Sequence, residues 1–139
     1  MAANTSQIYP LTPNVGKARI SAANTARDGS GSNISTVYTA GANGDIIFRI
    51  TCTESDATAS STSVAQVIRI WIHDGSSYFL YQEMLMPSTA GTTTAKTGTI
   101  SYTIPNGLYL NAAYTIRAAA TLGSTTTGQV DCVIEGFSY

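Results

Sequence analysis

The chain has 139 residues, a length typical of one domain with a single hydrophobic core. Its composition is 43% hydrophobic and only 11% charged. Ser and Thr make up roughly a quarter of the residues, which favours strands and loops over helices. Seven Lys and Arg against eight Asp and Glu give a formal net charge of −1. No basic stripe is present to follow a nucleic-acid backbone, and no acidic run indicates a cation-binding tail.

Residues 1–14 (MAANTSQIYPLTPN) differ in character from the rest of the chain. They contain Pro10 and Pro13 and show no period, so we interpret them as an extended N-terminal arm before one domain at residues 15–139. The segment has neither the basic start nor the apolar core of a signal peptide, and no apolar run approaches the roughly 20 residues of a membrane-spanning helix. The arm either frays or docks on a neighbouring subunit. Its apolar residues are Ile8, Tyr9 and Leu11.

Alternation of apolar and polar residues predicts strands throughout residues 15–139. In residues 45–53 (DIIFRITCT) and in the last eleven residues (QVDCVIEGFSY), every second residue is predicted to face inward. These inner residues are Ile46, Phe48, Ile50 and Cys52 in the first segment, and Val130, Cys132 and Ile134 in the second. Polar loops and turns separate the strands, and one turn is predicted at residues 105–107 (PNG).

The segments amount to about eight strands at intervals of roughly ten residues, with no helical period between them. Such spacing predicts an all-β fold. We expect an antiparallel β-sandwich with an extended N-terminal arm, and its topology is either jelly-roll or Ig-like.

The single histidine and the single tryptophan lie together in residues 67–86 (VIRIWIHDGSSYFLYQEMLM). Asp74-Gly75 between two alternating segments is a strong hairpin signal, so His73 is predicted to end a strand. A catalytic histidine needs a nucleophile and an orienting acid within reach, and Asp74 points away from His73 in a regular strand. Carboxylates are few and scattered, and no nucleotide-binding or nucleophile-elbow motif is present. We therefore expect a protein that is not an enzyme, with no catalytic residue, cofactor or metal site.

The chain has two cysteines, Cys52 and Cys132, far apart in sequence. No CxxC motif and no Cys/His cluster accompanies them, which argues against a zinc site. Both fall on predicted inner faces. They form either two buried reduced thiols or, in an oxidising environment, a disulfide.

Several apolar residues fall on the predicted outer faces of strands. Either loops or a second layer of the chain cover them, or they form a subunit interface, because exposed apolar patches and aromatic anchors favour association. The interface candidates are Ile47, Val67, Trp71, Tyr78 and Val133, with Ile8, Tyr9 and Leu11 of the arm. In a different use, Trp71, Tyr78 and Tyr81 would form a platform on which sugar rings stack.

Four blocks of the sequence match an ordered set of motifs. Residues 23–50 resemble N-T-x-x-D-G-(S/T)-G … T-A-G-A-N-G-x-x-I-x-x-I, and residues 67–87 resemble (V/I)-R-(L/I)-(F/W)-I-H-D-G … L-x-x-E-(I/M)-x-(V/M)-P. Residues 106–120 are similar to G-L-x-L-x-x-G-x-x-(I/L)-R-A-(S/A), and the carboxyl terminus to (N/C)-V-I-(A/E)-x-G-x-x. Together they resemble a family of small structural proteins of tailed bacteriophages and prophages. The departures are Asn111-Ala112-Ala113, where the family often has a glycine, and the two cysteines.

This resemblance implies a virion component without cofactor or catalytic residue. The role it implies first is that of a capsid decoration (cement) protein on the outside of the head, assembled in the host cytoplasm. Its partners would be the major capsid protein and, in a homotrimer, further copies of itself, with no nucleic acid and no membrane. The alternative role is a tail- or fibre-associated β-sandwich module that binds carbohydrate on the host surface.

Overall fold

The computed structural model describes residues 12–55, 65–89, 98–121 and 128–139. Within these ranges the chain forms eight β-strands and no helix, which confirms the all-β prediction. No helix in the described ranges is long and apolar enough to cross a membrane. In chain order the strands are β1 (Thr12–Ile20), β2 (Ser35–Thr39), β3 (Asp45–Glu54), β4 (Gln66–His73), β5 (Tyr78–Met86), β6 (Thr99–Leu110), β7 (Thr115–Ala120) and β8 (Val130–Ser138).

The strands form two antiparallel sheets with the orders β1-β8-β3-β6 and β2-β7-β4-β5. Strand β1 pairs with β8, β2 with β7, β3 with β6, and β4 with β5. These are the pairings of one long hairpin, with its tip between β4 and β5, that has been wrapped into two sheets. The β-sandwich is therefore a jelly roll, and the Ig-like alternative, which groups its strands differently, does not apply.

One apolar core lies between the two sheets. The inner residues predicted for β8, Val130, Cys132 and Ile134, are fully buried, and so are Ile116 and Ala118 of β7. Burying a side chain as large as isoleucine contributes roughly 1.5–3 kcal/mol, so these contacts between the inner faces hold the two sheets together.

Cys52 of β3 and Cys132 of β8 lie opposite each other in the first sheet and form a disulfide. Their Cα atoms are 4.2 Å apart, a spacing typical of non-hydrogen-bonded pairs, where side chains of antiparallel strands come closest. Of the two alternatives left open by the sequence, the structure therefore has the disulfide and not two reduced thiols. The bond joins residues 80 positions apart, so the chain-entropy argument assigns it roughly 4 kcal/mol of stability.

A β-bulge in β3 changes the predicted faces of that strand. Ile47 pairs with Gly136 of β8 and Arg49 with Glu135, which leaves Phe48 as an extra residue. Because one extra residue shifts the alternation of side chains, Ile47 and Ile50 both point into the core. The prediction that Ile46 and Phe48 face inward is therefore wrong. Phe48 lies on the outer face, where its ring is 5.7 Å from that of Phe137.

Residues 105–107 form an irregular part of β6 and not a turn between strands. β6 continues from Thr99 to Leu110, and Asn106 and Gly107 adopt positive φ values of 63° and 78° within it. The pairing with β3 is interrupted here, because Leu108 pairs with Ile47 and Thr103 with Arg49. β6 is an edge strand, where a proline without an N–H group is tolerated. The turn predicted at these residues is therefore wrong.

Strand β1 begins at Thr12, three residues before the boundary expected for the domain. Thr12 pairs with Ser138, and the Asn14 side-chain amide donates a hydrogen bond to the Ser138 hydroxyl at 3.0 Å. Next to this pair, the buried Asp45 carboxylate accepts hydrogen bonds from the Tyr38 hydroxyl at 2.6 Å and from the Gly41 N–H at 3.2 Å. Burial, followed by the contact with Asp45, raises the pKa of Tyr38 well above its ordinary value. Polar contacts thus fix the end of the sandwich at which the chain enters it.

The disulfide can be tested by alkylation with iodoacetamide in denaturant, followed by intact-mass measurement. Protein purified without reductant should gain no adduct, and reduced protein should gain two, because both cysteines are in one bond. Adducts formed before reduction would show that the cysteines are thiols.

Replacing both cysteines with alanine should lower the unfolding free energy by roughly 2–4 kcal/mol.

Tyr38→Phe should lower the unfolding free energy by about 1–3 kcal/mol, because it removes a hydrogen-bond donor from a buried carboxylate. Chemical denaturation monitored by circular dichroism measures the loss. Tyr109→Phe is the matched control, since that side chain is 67% exposed. Equal losses in the two variants would contradict the role given to Tyr38.

Candidate interaction surface

The structure separates the predicted interface residues into three groups. Ile8, Tyr9 and Leu11 lie outside the described residues. Ile47 and Trp71 are 0% exposed, so the expectation that they face a partner is wrong. Ile47 is in the core because of the bulge in β3, and Trp71 is covered from outside. The remaining three are half-buried: Val67, Tyr78 and Val133.

The loop between β1 and β2 (residues 21–34) covers Trp71. Trp71 does lie on the outer face of the second sheet, as the alternation predicts, and its indole N–H donates to the Arg27 carbonyl at 3.1 Å. The neighbouring Arg69 donates from its guanidinium to the Thr25 carbonyl at 3.0 Å. The sequence left two explanations for outward apolar residues, cover by the chain itself or a subunit interface. For Trp71 the first is correct, because a loop of the same chain covers it.

Asn24 gives this loop its shape. Its side-chain amide donates to the carbonyls of Ser30 at 3.2 Å and Ser32 at 2.7 Å, and its side-chain oxygen accepts from the Ala26 N–H at 2.9 Å. Its backbone N–H donates to the Ala120 carbonyl of β7 at 2.9 Å. One buried side chain thus closes the loop and joins it to the sheet beneath.

A small charge network attaches the same loop to β5. Oε1 of Glu83 lies 2.8 Å from Nε of Arg69 and 3.3 Å from Nε of Arg27, which belongs to the loop. The hydrogen bond from Arg69, with a further contribution from Arg27, holds the pKa of Glu83 below its ordinary value. The Arg69 side chain is only 7% exposed, so the Glu83 carboxylate compensates the buried positive charge of its guanidinium.

The three aromatic residues considered as a sugar platform do not share an exposed face. The ring of Tyr78 packs edge-on against buried Trp71 and lies directly beneath Gly29 of the covering loop. Its hydroxyl accepts a hydrogen bond from Arg117 at 2.7 Å. Tyr81 packs against the core and against Tyr102, and burial raises the pKa of its hydroxyl.

His73 ends β4, as predicted, and Asp74 begins the turn to β5. The Gly75 N–H donates to Nδ1 of His73 at 3.2 Å. Oδ1 of Asp74 accepts from the N–H groups of Ser76 at 2.9 Å and Ser77 at 2.8 Å, and these bonds lower the pKa of Asp74. The hairpin therefore accounts for the sequence His73-Asp74-Gly75.

Exposed large apolar side chains lie at two places in the described residues. Phe79, Leu80 and Leu85 of β5 are 55%, 44% and 64% exposed. We use the name β5 edge for these side chains together with the side of β5 that pairs with no strand. The second place is the outer face of the first sheet, at the end where β1 begins. We call it the aromatic patch, and it consists of Val15, Phe48, Tyr109, Phe137 and Tyr139.

The β5 edge has the properties of a strand that pairs with another chain. In the described residues β5 pairs only with β4, so no strand bonds its other side, where the Glu83 carbonyl accepts a hydrogen bond from the Gln82 side-chain amide at 3.0 Å. Its sequence, YFLYQEMLM, has neither lysine nor proline, the residues that commonly prevent edge pairing. A bulge at Tyr81 is the one irregularity along it. The sequence indicated an apolar outer face here but not that the strand lies at an edge.

No group of three or more His, Cys, Asp or Glu side chains suited to a metal ion occurs in the part of the chain that the structure describes. No protein-family model matches the chain, and no curated protein matches it.

Two solved structures of viral proteins are similar to this chain. A chain of the cyanophage Pam1 capsid asymmetric unit has 17% identity and a TM-score of 0.43, and the match covers 99% of this chain and 94% of that one. A virus-like particle of the extra small virus of the giant freshwater prawn Macrobrachium rosenbergii gives 11% identity and a TM-score of 0.31, with 99% and 88% covered. Both similarities are too low to assign a role to this chain.

Asn24→Ala should release the covering loop and make Trp71 more accessible, because three of the loop's internal hydrogen bonds end on that side chain. Acrylamide quenching of the fluorescence of this single tryptophan measures the change and should increase clearly in the folded variant. Asn43→Ala is the control, since its amide bonds only the exposed Tyr139 carbonyl. Equal quenching in the wild type and Asn24→Ala would show that other contacts hold the loop.

Proposed function

We propose that the chain is a structural protein of a bacteriophage virion, a decoration protein on the outer surface of the head. The exposed apolar side chains of the β5 edge are the observation that carries the proposal. Such a strand is suited to association with other chains, which is the work of an assembly component. The motif resemblance to phage structural proteins supports the same role, and jelly rolls are common among capsid proteins. In this role the protein is not an enzyme.

The trimer contact in this proposal lies at the β5 edge. Leu80 and Leu85 project from the outer face of β5, and Phe79 is exposed next to them. Pairing of β5 with a neighbouring copy would satisfy the free backbone groups and remove these side chains from water. This location replaces the outer face around Trp71, which the chain covers with its own loop.

The contact with the major capsid protein is assigned to residues 1–11, which precede β1 and contain Ile8, Tyr9 and Leu11. A short segment supplies little binding energy on its own, so firm attachment would come from the three segments of one trimer binding adjacent subunits together. Bridging of adjacent capsid subunits by bound copies would then stabilise the lattice against internal pressure.

The proposal can be tested by sedimenting the protein with empty expanded heads assembled from the major capsid protein of the same phage genome. The chain should pellet with the heads at a saturating ratio, and it should raise their melting temperature. Light scattering of the chain alone should give the mass of a trimer. Leu80→Glu with Leu85→Glu should reduce that mass to a monomer's, because the charges oppose burial of the edge.

Thr103→Glu on the polar outer face of β6 is the matched control and should leave both the trimer and head binding intact. A chain that starts at Thr12 keeps all eight strands and should lose head binding. The proposed role is wrong if the wild-type chain stays in the supernatant at every ratio. Binding by a wild-type monomer would remove only the trimer from it.

A further inference from the structure

The aromatic patch is an apolar surface whose side chains carry no charge. Phe137 of β8 pairs across the sheet with Ile46 of β3, and Ile46 pairs with Tyr109 of β6. Although Ile46 faces outward, it is only 4% exposed, because the rings around it and the backbone of Gly107 cover it. Ile46 thus forms the floor, and the rings of Tyr109 and Phe137 remain 67% and 36% exposed above it.

Polar residues surround the patch along the rest of the same face. Arg49 and Glu135 form an ion pair of 2.6 Å beside it, and Arg19 and Asp131 form another farther along. Thr51 of β3 and Ser101 of β6 share a hydrogen bond of 3.0 Å on the same face. The apolar surface is therefore confined to the end of the sheet at which β1 begins.

The patch is too small for a stable contact between two folded copies. From their exposed fractions, Val15, Tyr109 and Phe137 present on the order of 300 Å² of side-chain surface. With the half-buried Phe48 and Tyr139 included, two such patches facing each other would bury at most about 900 Å², whereas a specific interface between folded proteins needs about 1,000 Å² or more. A short peptide with a few apolar residues matches the patch better in size.

Residues 1–11 are such a peptide, and they join the body beside the patch. They carry no Asp, Glu, Lys, Arg or His, so their side chains suit an uncharged surface. Thr12, where the described chain begins, is followed by Pro13, which pairs with Phe137 in the centre of the patch. From β1 to β6 is three strand spacings, about 14 Å, which an extended run of about four residues covers. Ile8, Tyr9 and Leu11 are therefore all within reach.

We infer that residues 1–11 of the free chain fold back onto the aromatic patch of the same chain. Attachment beside the patch gives the segment a high effective concentration there, which a segment from another copy does not have. This inference concerns the free chain and stands without the virion role. If the segment also binds capsid subunits, it cannot occupy both places at once, and docking on the patch then competes with head binding.

The test is photo-crosslinking of the full chain with p-benzoylphenylalanine in place of Tyr109. Chains labelled with ¹⁴N and ¹⁵N are mixed in equal amounts, irradiated and mapped by peptide mass spectrometry. The expected product joins position 109 to residues 1–11, with one isotope in both peptides. The same amino acid in place of Ser101, on the polar part of the same strand and face, should give no product with residues 1–11.

Products that carry both isotopes would show that the segment comes from a second copy and would overturn the inference. So would products with the strands of a second copy, or no product with residues 1–11. Leu11→Asp should remove most of the cross-link, and Thr5→Asp, which adds the same charge at a polar position, should keep it.

Hydroxyl-radical oxidation of Tyr109 in chains without the photo-reactive group provides an independent readout. Leu11→Asp should increase the oxidation of Tyr109 several-fold, while Thr5→Asp leaves it unchanged. Equal oxidation of Tyr109 in the wild type and in Leu11→Asp would contradict the docking.

Discussion

The extra residue at Phe48 in β3 determines what each face of the first sheet presents. Without it, the alternation of β3 would place Ile46 in the core and Ile47 outside. With it, Ile47 and Ile50 both fill the core, and Phe48 lies outside with Phe137. The irregular segment of β6 at residues 105–107 lies opposite, so the pairing of β3 and β6 is interrupted on both strands at the same level. Because a bulge changes the alternation of every residue beyond it, one inserted residue turns Ile46 and Phe48 outward, where they complete the aromatic patch.

Regular alternation let much of the fold be predicted from the sequence. In β8 no residue is inserted, and its predicted inner residues Val130, Cys132 and Ile134 are all buried. The hairpin after His73 was predictable because Asp-Gly specifies a local turn whatever surrounds it. Where the sequence of a turn conflicted with the pairing of neighbouring strands, the prediction was wrong. Residues 105–107 have the sequence of a turn, but pairing with β3 on both sides keeps them within one strand.

Other features depend on tertiary contacts that a sequence does not display. The alternation placed Trp71 on an outer face correctly, but it did not reveal the covering loop, whose contact with Trp71 joins residues 44 positions apart. Similarly, Cys52 and Cys132 were each assigned to an inner face, but only the strand order makes them neighbours. The exposed surfaces were the least predictable part, since whether β5 is an edge or a central strand follows from the topology of the whole jelly roll.

The two exposed surfaces offer different kinds of contact. The β5 edge presents unpaired backbone groups together with Leu80 and Leu85, so it suits another strand, which supplies hydrogen bonds as well as apolar area. The aromatic patch lies on the outer face of a sheet, and the face of a sheet offers side-chain contacts alone. Such a surface suits a short segment without secondary structure of its own. Since the surfaces lie on different sheets, the proposed assembly at the edge and the proposed docking on the patch would not exclude each other.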